Sequence, residues 1–554
     1  MKKSTLLASA LMAAATAFGG IWFKGDATTK QGFWDDLNCW WGWYTYADHA
    51  TSFGGNPDAH IPWGHTAIVT GSVARCWSLD AFSNDPDHPA TVRIVSGGKL
   101  WIEGGLEQIG TRYNANPYPA SEYKYGCLDI QPGATNIGAL VVGGTGVGTV
   151  TNAGCHSWGG DMKIGRDAGS SGVYVHDGGI NKLDSPRNID VGINGDGELL
   201  VKSGTFGFKW YASGDNIIGY TRIGCGDGGG RGIVQVEDGA RFESGLPYLG
   251  GNATTIGDGR VRLRGGTFKV LSDFGNSRGI DSMWIGAATD GTGAVRDGTY
   301  GQISGWGVVE GNSAGNANSI HARLGNGAII ADGEGVERTL DCSDVWQVTN
   351  ILFGVESART NGWYAVNKGA VIMPGVNVVL DNGGDNWGFR QGTNAVGCCR
   401  SLRKPDLINA VFMNVRVEWK AAGKNLGVML LASDRSDAHA DALGDKYAPL
   451  GFWKAGVFDT RTDFSTATRQ NIQWAELDFR YDQSKVKDSG IKLAVLRWSE
   501  TDGAWTRLAR YDRQPDDFIV SSGRFTEPSD DPVWGIGLFC VAEVFESPFV
   551  MTVR

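Results

Sequence analysis

An acid beside amides and a tryptophan is the arrangement in this 554-residue chain that comes nearest to a site for carbohydrate chemistry. Asp385 lies in the segment Asp381-Asn-Gly-Gly-Asp-Asn-Trp387. Cleavage of a glycosidic bond needs positioned carboxylates that exchange a proton with the leaving oxygen or activate a water molecule. Asp385 is therefore the candidate catalytic residue, although a β-turn explains the same segment equally well.

Adjacent acids elsewhere do not form a convergent set. The pairs Asp35-Asp36, Asp516-Asp517 and Asp530-Asp531 all stand in turn-like contexts outside the glycine-rich middle of the chain. The sequence also lacks a Gly-His-Gly segment and the clustered Asn-x-Asp set of the polygalacturonase-like hydrolases. The acidic residues therefore favour a protein that is not an enzyme.

Aromatic residues crowd one N-terminal segment, where they stand at Trp22, Trp34, Trp40, Trp41, Trp43, Tyr44, Tyr46, Trp63 and Trp77. A cap would bury these rings over the open end of a repeat array. A sugar-binding platform would instead expose several of them so that they stack on pyranose faces. Both interpretations stay open, and the second makes Trp40, Trp41 and Trp43 the candidate glycan-binding residues.

Metal ligands are also conceivable in that segment, at Asp48, His49, Asp58, His60 and His65. Their spacing fits no defined metal motif, and Asn56-Pro57-Asp58 indicates a solvated turn. The segments Gly195-Asp-Gly197 and Gly257-Asp-Gly259 are similar to calcium-binding nonapeptide coils, but the strict nine-residue period is missing. The sequence therefore predicts no metal site and no cofactor, with calcium as the alternative.

The middle of the chain repeats one phrase, which consists of an apolar residue and Gly, a Gly-rich turn, an alternating strand and a second small turn. Four copies read Lys163-Ile-Gly with Val173-Tyr-Val-His-Asp-Gly-Gly179, Val191-Gly with Glu198-Leu-Leu-Val-Lys-Ser-Gly204, Ile223-Gly with Val234-Gln-Val-Glu-Asp-Gly239, and Leu249-Gly with Val261-Arg-Leu-Arg-Gly-Gly266. Weaker copies flank them at Val142-Gly143 and Ile285-Gly286. Successive apolar-Gly pairs are 22 to 36 residues apart, which is typical of a solenoid with variable turns.

Each copy predicts a strand with one buried and one exposed face, as for Val234 and Val236 against Gln235 and Glu237. Such a strand cannot bury its apolar face alone, whereas stacked coils share one interior. Glycines at the corners supply the positive φ that sharp bends require. The sequence therefore predicts an all-β chain containing a right-handed parallel β-helix, with hairpins in a sandwich or propeller as the alternative.

The quoted copies resemble the Gly-rich repeats of autotransporter-passenger-like β-helix proteins that bacteria secrete. The resemblance covers residues 90 to 300, and residues 300 to 400 more loosely. It implies a pectin-lyase-like solenoid and indicates little about activity, because the geometry of the coils dictates the glycines.

Four segments follow from the composition along the chain. Residues 1–17 have Lys2 and Lys3, an apolar run and a small-residue end at Ala17, which predicts a signal peptide and a secreted, extracellular or outer-surface protein. The sequence predicts an aromatic-rich cap over residues 18–90 and the solenoid over residues 91–404. Residues 405–554 have longer alternating strands, which predict an antiparallel β-sandwich.

The net charge and the hydropathy of the chain limit the kinds of partner that it can bind. The formal net charge of −10 makes nucleic acid an improbable partner, and no later apolar run reaches the length of a membrane span. Nine cysteines without C-x2-C spacing leave the disulfide pairing open. The sequence thus predicts a non-enzymatic scaffold, adhesin or glycan-contacting protein whose partner is a polysaccharide or a cell-surface component. The alternative is a polysaccharide lyase or glycoside hydrolase of the parallel β-helix type.

Overall fold

The computed structural model describes residues 20–23, 30–34, 40–41, 58–62, 64–71, 73–110, 124–158, 160–183, 187–208, 219–252, 254–271, 281–286, 296, 298–311, 320–324, 327–331, 339–342, 344, 347–350, 363–366, 370–374, 378–379, 388–389, 396–398, 412–419, 426–433, 439–459, 472–481, 486, 491–515, 519–526 and 537–545. Over this part of the chain the protein consists of β-strands and one 3-10 helix, Ala440–Leu443, with no α-helix. The all-β prediction is therefore confirmed. The predicted signal peptide, residues 1–17, lies outside the described residues.

The strands are numbered in chain order. The first part of the chain has β1 (Gly20–Phe23), β2 (Gln31–Phe33), β3 (Trp40–Trp41), β4 (Asp58–Pro62), β5 (Thr66–Val69), β6 (Val73–Cys76), β7 (Leu79–Phe82), β8 (Ala90–Ile94), β9 (Lys99–Ile109), β10 (Tyr125–Ile130), β11 (Thr135–Val142), β12 (Val147–Asn152), β13 (Cys155–Trp158) and β14 (Met162–Ile164). The middle has β15 (Ser171–Leu183), β16 (Ile189–Val191), β17 (Asp196–Gly207), β18 (Tyr220–Ile223), β19 (Gly230–Glu237), β20 (Arg241–Ser244), β21 (Leu246–Leu249), β22 (Gly257–Val270), β23 (Asp281–Ile285), β24 (Thr299–Glu310), β25 (Ile320–Leu324), β26 (Gly327–Ala331), β27 (Thr339–Asp341) and β28 (Gln347–Asn350). The last part has β29 (Trp363–Val366), β30 (Ala370–Pro374), β31 (Val378–Val379), β32 (Gly388–Phe389), β33 (Val396–Cys398), β34 (Phe412–Trp419), β35 (Leu426–Ser433), β36 (Tyr447–Asp459), β37 (Ile472–Arg480), β38 (Leu493–Ser499), β39 (Ala504–Tyr511), β40 (Ile519–Ser521) and β41 (Gly537–Val544).

Parallel pairing dominates up to β30 and forms three ladders. The first ladder contains β1, β4, β7, the C-terminal parts of β9 and β11, β14, β16, β18, β21, β23, β25 and β28. The second contains β2, β5, β8, β10, β12, the N-terminal parts of β15 and β17, β19, β22, β24, β26 and β29. The third contains β6, the N-terminal parts of β9 and β11, β13, the C-terminal parts of β15, β17, β22 and β24, and β20, β27 and β30. The chain visits the ladders in this order within each repeat unit, which is compatible with a parallel β-helix.

The apolar-Gly pairs of the sequence mark the corner between the first and second ladders. Gly165, Gly192 and Gly224 follow first-ladder strands with φ of 65°, 65° and 60°. A Cβ on Gly192 would lie 1.9 Å from the carbonyl oxygen of Arg231 in the next unit. Glycine is required there both for the backbone conformation and for the close approach of the neighbouring main chain.

Inward positions of the ladders form one continuous apolar core. Val234 and Val236 are fully buried, whereas Gln235 and Glu237 are partly exposed, so the alternation predicted for β19 is confirmed. In the third ladder, Phe206, Phe242 and Phe268 stack on successive units with ring centroids 6.0 and 5.7 Å apart. Each unit therefore buries its apolar face against its neighbours.

From β33 onward the pairing is antiparallel. One group is β33, β34, β37 and β40, and the other is β35, β36, β41, β38 and β39. The rings of Trp453, Phe479 and Phe539 pack between strands of these groups, with centroids 5.0 and 5.6 Å apart. Antiparallel pairing also joins β30 to β35, so that the two parts of the chain share a sheet.

Parallel pairing extends on both sides of residue 90, where the sequence predicts the end of a cap. β5 pairs with β8 and β4 pairs with β7 in parallel register. The predicted boundaries at residues 90 and 404 stay predictions. Cys76, Cys127, Cys225 and Cys342 are free thiols.

Candidate functional site

The residues that the sequence singles out for sugar chemistry lie mostly outside the described residues. These are Asp385, Trp43 and the three acidic pairs. Trp40 and Trp41 form β3, which pairs antiparallel with β1 so that Trp41 opposes Trp22, but their side chains are not described. Catalysis at Asp385 and glycan binding at the three tryptophans therefore stay predictions.

Two other tryptophans of the aromatic-rich N-terminal segment differ in burial. One is buried, as in a cap, and the other is exposed, as in a sugar-binding platform. Trp34 is 5% exposed and belongs to the core, as a capping residue would. Trp77 follows β6 directly and is 51% exposed. Of the two tryptophans of this segment whose side chains the structure describes, Trp77 therefore lies at the surface.

Trp77 lies flat on a glycine. A Cβ on Gly104 would lie 2.3, 2.4 and 2.8 Å from Cη2, Cζ3 and Cζ2 of Trp77. That position lies over the ring face, because a point in the ring plane could not be so near to all three carbons. The amide of Gly105 donates to the Trp77 carbonyl at 2.7 Å and holds the two segments together. One indole face therefore packs on main chain and the opposite face is left to solvent.

A second tryptophan, Trp101, lies on the neighbouring strand of the third ladder and is in contact with charged groups. Arg75 pairs in register with Trp101, and its guanidinium lies 4.6 Å from the centroid of that ring. Lys99 approaches the Trp101 ring at 5.4 Å, and Arg75 Nη1 donates to Glu103 Oε1 at 3.4 Å. We call these five residues, Arg75, Trp77, Lys99, Trp101 and Glu103, the Trp77 patch.

The Trp77 patch combines an apolar ring face with charged hydrogen-bonding groups. A pyranose ring presents CH groups on its face and hydroxyls on its rim, so the same combination matches both parts of a sugar. Glu103 is the one carboxylate of the patch, whereas hydrolysis of a glycosidic bond ordinarily requires two. The arrangement is therefore suited to binding.

A second polar group lies inside the ladders, and its members are Glu107, Asn136, Asn152, His156, Tyr174, His176 and Asn181. None is more than 4% exposed. Asn136 Nδ2 donates to Glu107 Oε2 at 2.7 Å, and Asn181 Nδ2 donates to the Tyr174 hydroxyl at 3.1 Å. Nδ1 of His156 lies 3.1 Å from the same hydroxyl. This group is closed to solvent and serves the core.

Burial shifts the pKa values of this group strongly. It raises the pKa of Glu107 to about 7, against a smaller lowering by the hydrogen bond from Asn136. It lowers the pKa of His156 to about 3 and that of His176 to about 4. Near neutral pH the two histidines are therefore uncharged and Glu107 is partly protonated.

Asp58, His60 and His65 are the described members of the N-terminal segment in which metal ligands are conceivable. His60 Nδ1 lies 3.2 Å from Asp80 Oδ2 on the first ladder. Burial, and then the charge of Lys30, lowers the pKa of His65 ahead of β5. No group of three or more His, Cys, Asp or Glu side chains that could hold a metal ion occurs in the part of the chain that the structure describes. Asp48 and His49 lie outside it.

Comparison of this chain with known proteins identifies no relative. No protein-family model, curated protein or solved structure matches this chain. The resemblance to autotransporter-passenger-like repeats therefore stays a prediction. No described helix is long and apolar enough to cross a membrane.

The sequence contains one signal for the Trp77 patch, two adjacent glycines within β9. Gly104 and Gly105 interrupt the alternating strand of β9. Glycine within a strand commonly marks the close approach of another group, here the indole of Trp77.

Proposed function

We propose that this protein is a secreted or surface-displayed scaffold or adhesin that contacts glycans through the Trp77 patch. The three ladders are the faces of a right-handed parallel β-helix, and the two antiparallel groups form a β-sandwich after it. The observation that carries the proposal is the Trp77 ring, which packs on Gly104 and leaves its other face exposed.

Removal of the ring tests the proposal directly. We expect Trp77→Ala to weaken retention of the full chain on a responsive polysaccharide by about tenfold or more, because the stacking surface is lost. The measurement is affinity electrophoresis in gels that contain soluble xylan, dextran or polygalacturonate. Tyr220→Ala is the matched control, since Tyr220 is 47% exposed on the first ladder.

Equal retention of the Trp77→Ala and Tyr220→Ala proteins would contradict the proposal. New reducing ends in the polysaccharide would instead favour the lyase or hydrolase alternative.

A substitution that displaces the Trp77 ring without removing it is a second test of the proposal. We expect Gly104→Ala to fold, because the clash falls on the outer carbons of one exposed side chain, and yet to lower retention nearly as far as Trp77→Ala does. Gly71→Ala is the matched control, because a Cβ at Gly71 meets nothing within 4 Å. Tryptophan fluorescence would report the displaced indole, and unchanged retention in the Gly104→Ala protein would show that the flat seating of Trp77 is unimportant.

A further inference from the structure

Most cations on the outer faces of the ladders have a carboxylate partner. Arg222 binds Asp190 at 2.6 Å, and Arg93 binds Asp129 at 2.9 Å. Arg241 contacts Glu310 at 2.7 Å on the third ladder. Opposite charges on neighbouring strands can form such ion pairs. Arginines on these faces without a carboxylate partner are therefore candidates for binding an anion.

Three arginines on the outer face of the second ladder depart from that rule. Arg231 lies on β19, and Arg262 and Arg264 lie on β22. Within the described residues, none of the three has a carboxylate oxygen within the 4.0 Å of an ion pair, although Arg260 beside them binds Asp258 through two nitrogens at 2.8 and 2.7 Å. On this face, one described guanidinium therefore binds a carboxylate through two nitrogens, and three described guanidiniums bind none.

The electrostatics of Arg262 agree with that geometry. Partial burial lowers the pKa of its guanidinium, and the charges of Arg260, Arg231 and Arg264 lower it further. Glu198 opposes this from β17. A bound anion would offset the mutual repulsion of these cations.

Acids lie on the same face, beside one of these arginines. Asp196 pairs in register with Arg231, and Glu198 pairs with Ile233. Both acids are exposed and line an open depression of about 90 Å³ together with Ser171, Val173, Arg231 and Ile233. Carboxylates accept hydrogen bonds and guanidiniums donate them, so the face offers both kinds of partner side by side.

We propose that this face, from β17 to β22, binds acidic sugar units of a polysaccharide. Arg231, Arg262 and Arg264 bind the sugar carboxylates, because a guanidinium fork matches a carboxylate. Asp196 and Glu198 accept hydrogen bonds from sugar hydroxyls. The inference rests on the proposed glycan-contacting function and adds a second surface, on a different ladder from the Trp77 patch.

The mixed charge of the face selects this ligand over a simple polyanion. A chain that carried only sulfate or phosphate groups would be repelled near Asp196 and Glu198. A sugar acid places hydroxyls there and its carboxylate at the arginines. The shallow, open shape suits a polymer that lies across the strands, since small-molecule sites are deeper and more enclosed.

Calorimetric titration of the full chain with polygalacturonate, at low and moderate salt, tests the inference. We expect Arg262→Gln to weaken binding about tenfold, the loss of one charged hydrogen bond. Arg507→Gln is the matched control, because Arg507 is an exposed arginine on β39 and the change in net charge is the same. Arg262→Lys keeps the charge and should fall between wild type and Arg262→Gln, which separates loss of the fork from loss of folding.

Glu198→Gln distinguishes sugar acids from polyanions in general. It should weaken binding of polygalacturonate, because a hydroxyl acceptor loses its charge, and should strengthen binding of dextran sulfate, because a like charge is removed. Tighter binding of both polymers, or equal affinities of the Arg262→Gln and Arg507→Gln proteins, would overturn the second surface.

Wild-type protein that does not bind polygalacturonate would overturn it as well. Loss of xylan or dextran retention in Trp77→Ala would still support the proposed function in that case, so the two failures are distinguishable.

Discussion

Gly192→Ala is expected to abolish the native fold, with the protein recovered as aggregate or with a melting transition lowered by more than about 10 °C. Gly192 has φ of 65°, which costs a residue with a Cβ about 1 to 2 kcal/mol. The new methyl would also lie 1.9 Å from the oxygen and 2.3 Å from the carbonyl carbon of Arg231. Main-chain atoms held in a parallel ladder cannot move aside without breaking its hydrogen bonds.

The matched control is Gly97→Ala. Gly97 also has a positive φ, of 81°, but a Cβ there meets nothing within 4 Å. This substitution should cost only the free energy of the positive φ, about 1 to 2 kcal/mol. Thermal unfolding followed by circular dichroism compares the two proteins. Similar melting temperatures would show that the backbone conformation, and not the approach of the next unit, makes glycine necessary at the corner.

Glu107→Gln is expected to stabilise the protein at pH 8 and to have little effect at pH 4.5. The side chain lies between Leu79 and Leu140 on the first ladder and is fully buried. Among the described residues, its Oε1 and the Oδ1 of Asn136 have no hydrogen-bond partner. A protonated acid or an amide at position 107 can donate a hydrogen bond, whereas the carboxylate cannot.

The size of the effect follows from linkage. The pKa of Glu107 is raised to about 7, so the folded state keeps a proton that the unfolded state releases. The stability from this group is complete below about pH 4.5 and is lost as pH rises through about 7. A shift of this size corresponds to about 3 kcal/mol. The free energy of unfolding of Glu107→Gln relative to wild type should rise by about that amount between pH 4.5 and pH 8.

The two buried histidines change the stability of the protein with pH in the direction opposite to Glu107. The pKa values of His156 and His176 are lowered to about 3 and about 4. Their stabilisation is present above the ordinary histidine pKa of about 6.5 and is lost as pH falls toward those values. Wild-type stability should therefore be greatest near pH 6.5, and the Glu107→Gln protein should instead reach a plateau above it. Urea unfolding measured from pH 4 to 8 checks both curves, and an unchanged optimum in the variant would exclude Glu107 as the cause.

The interior polar group shows where sequence reasoning stops. In the copy that begins at Val173, alternation by hydrophobicity would bury Val173 and Val175. The structure buries Tyr174 and His176 instead. Gly172 is in register with Gly148 and Gly197, and a Cβ there would lie 2.3 Å from the carbonyl oxygen of Val142. That glycine must face inward, and the period of two then turns Tyr174 and His176 inward as well.

The Trp77 patch shows the same limit at the surface. The sequence identifies an aromatic crowd but cannot separate the buried Trp34 from the exposed Trp77, because both are large apolar residues in a variable segment. The Trp77 ring packs on Gly104, which is 27 positions away in the chain, because one unit stacks on the next. Arg231, Arg262 and Arg264 come together in the same way, from two strands that meet only in the ladder.

The sequence by itself determined the all-β class, the repeat unit and the glycine at each corner. These properties are local, since they depend on strand periodicity and on the φ values that a Cβ forbids. Only the tertiary structure decided which side chains face the core and which charges lack a partner. Those outcomes depend on the register between residues 22 to 36 positions apart, which parallel hydrogen bonding fixes and local sequence does not.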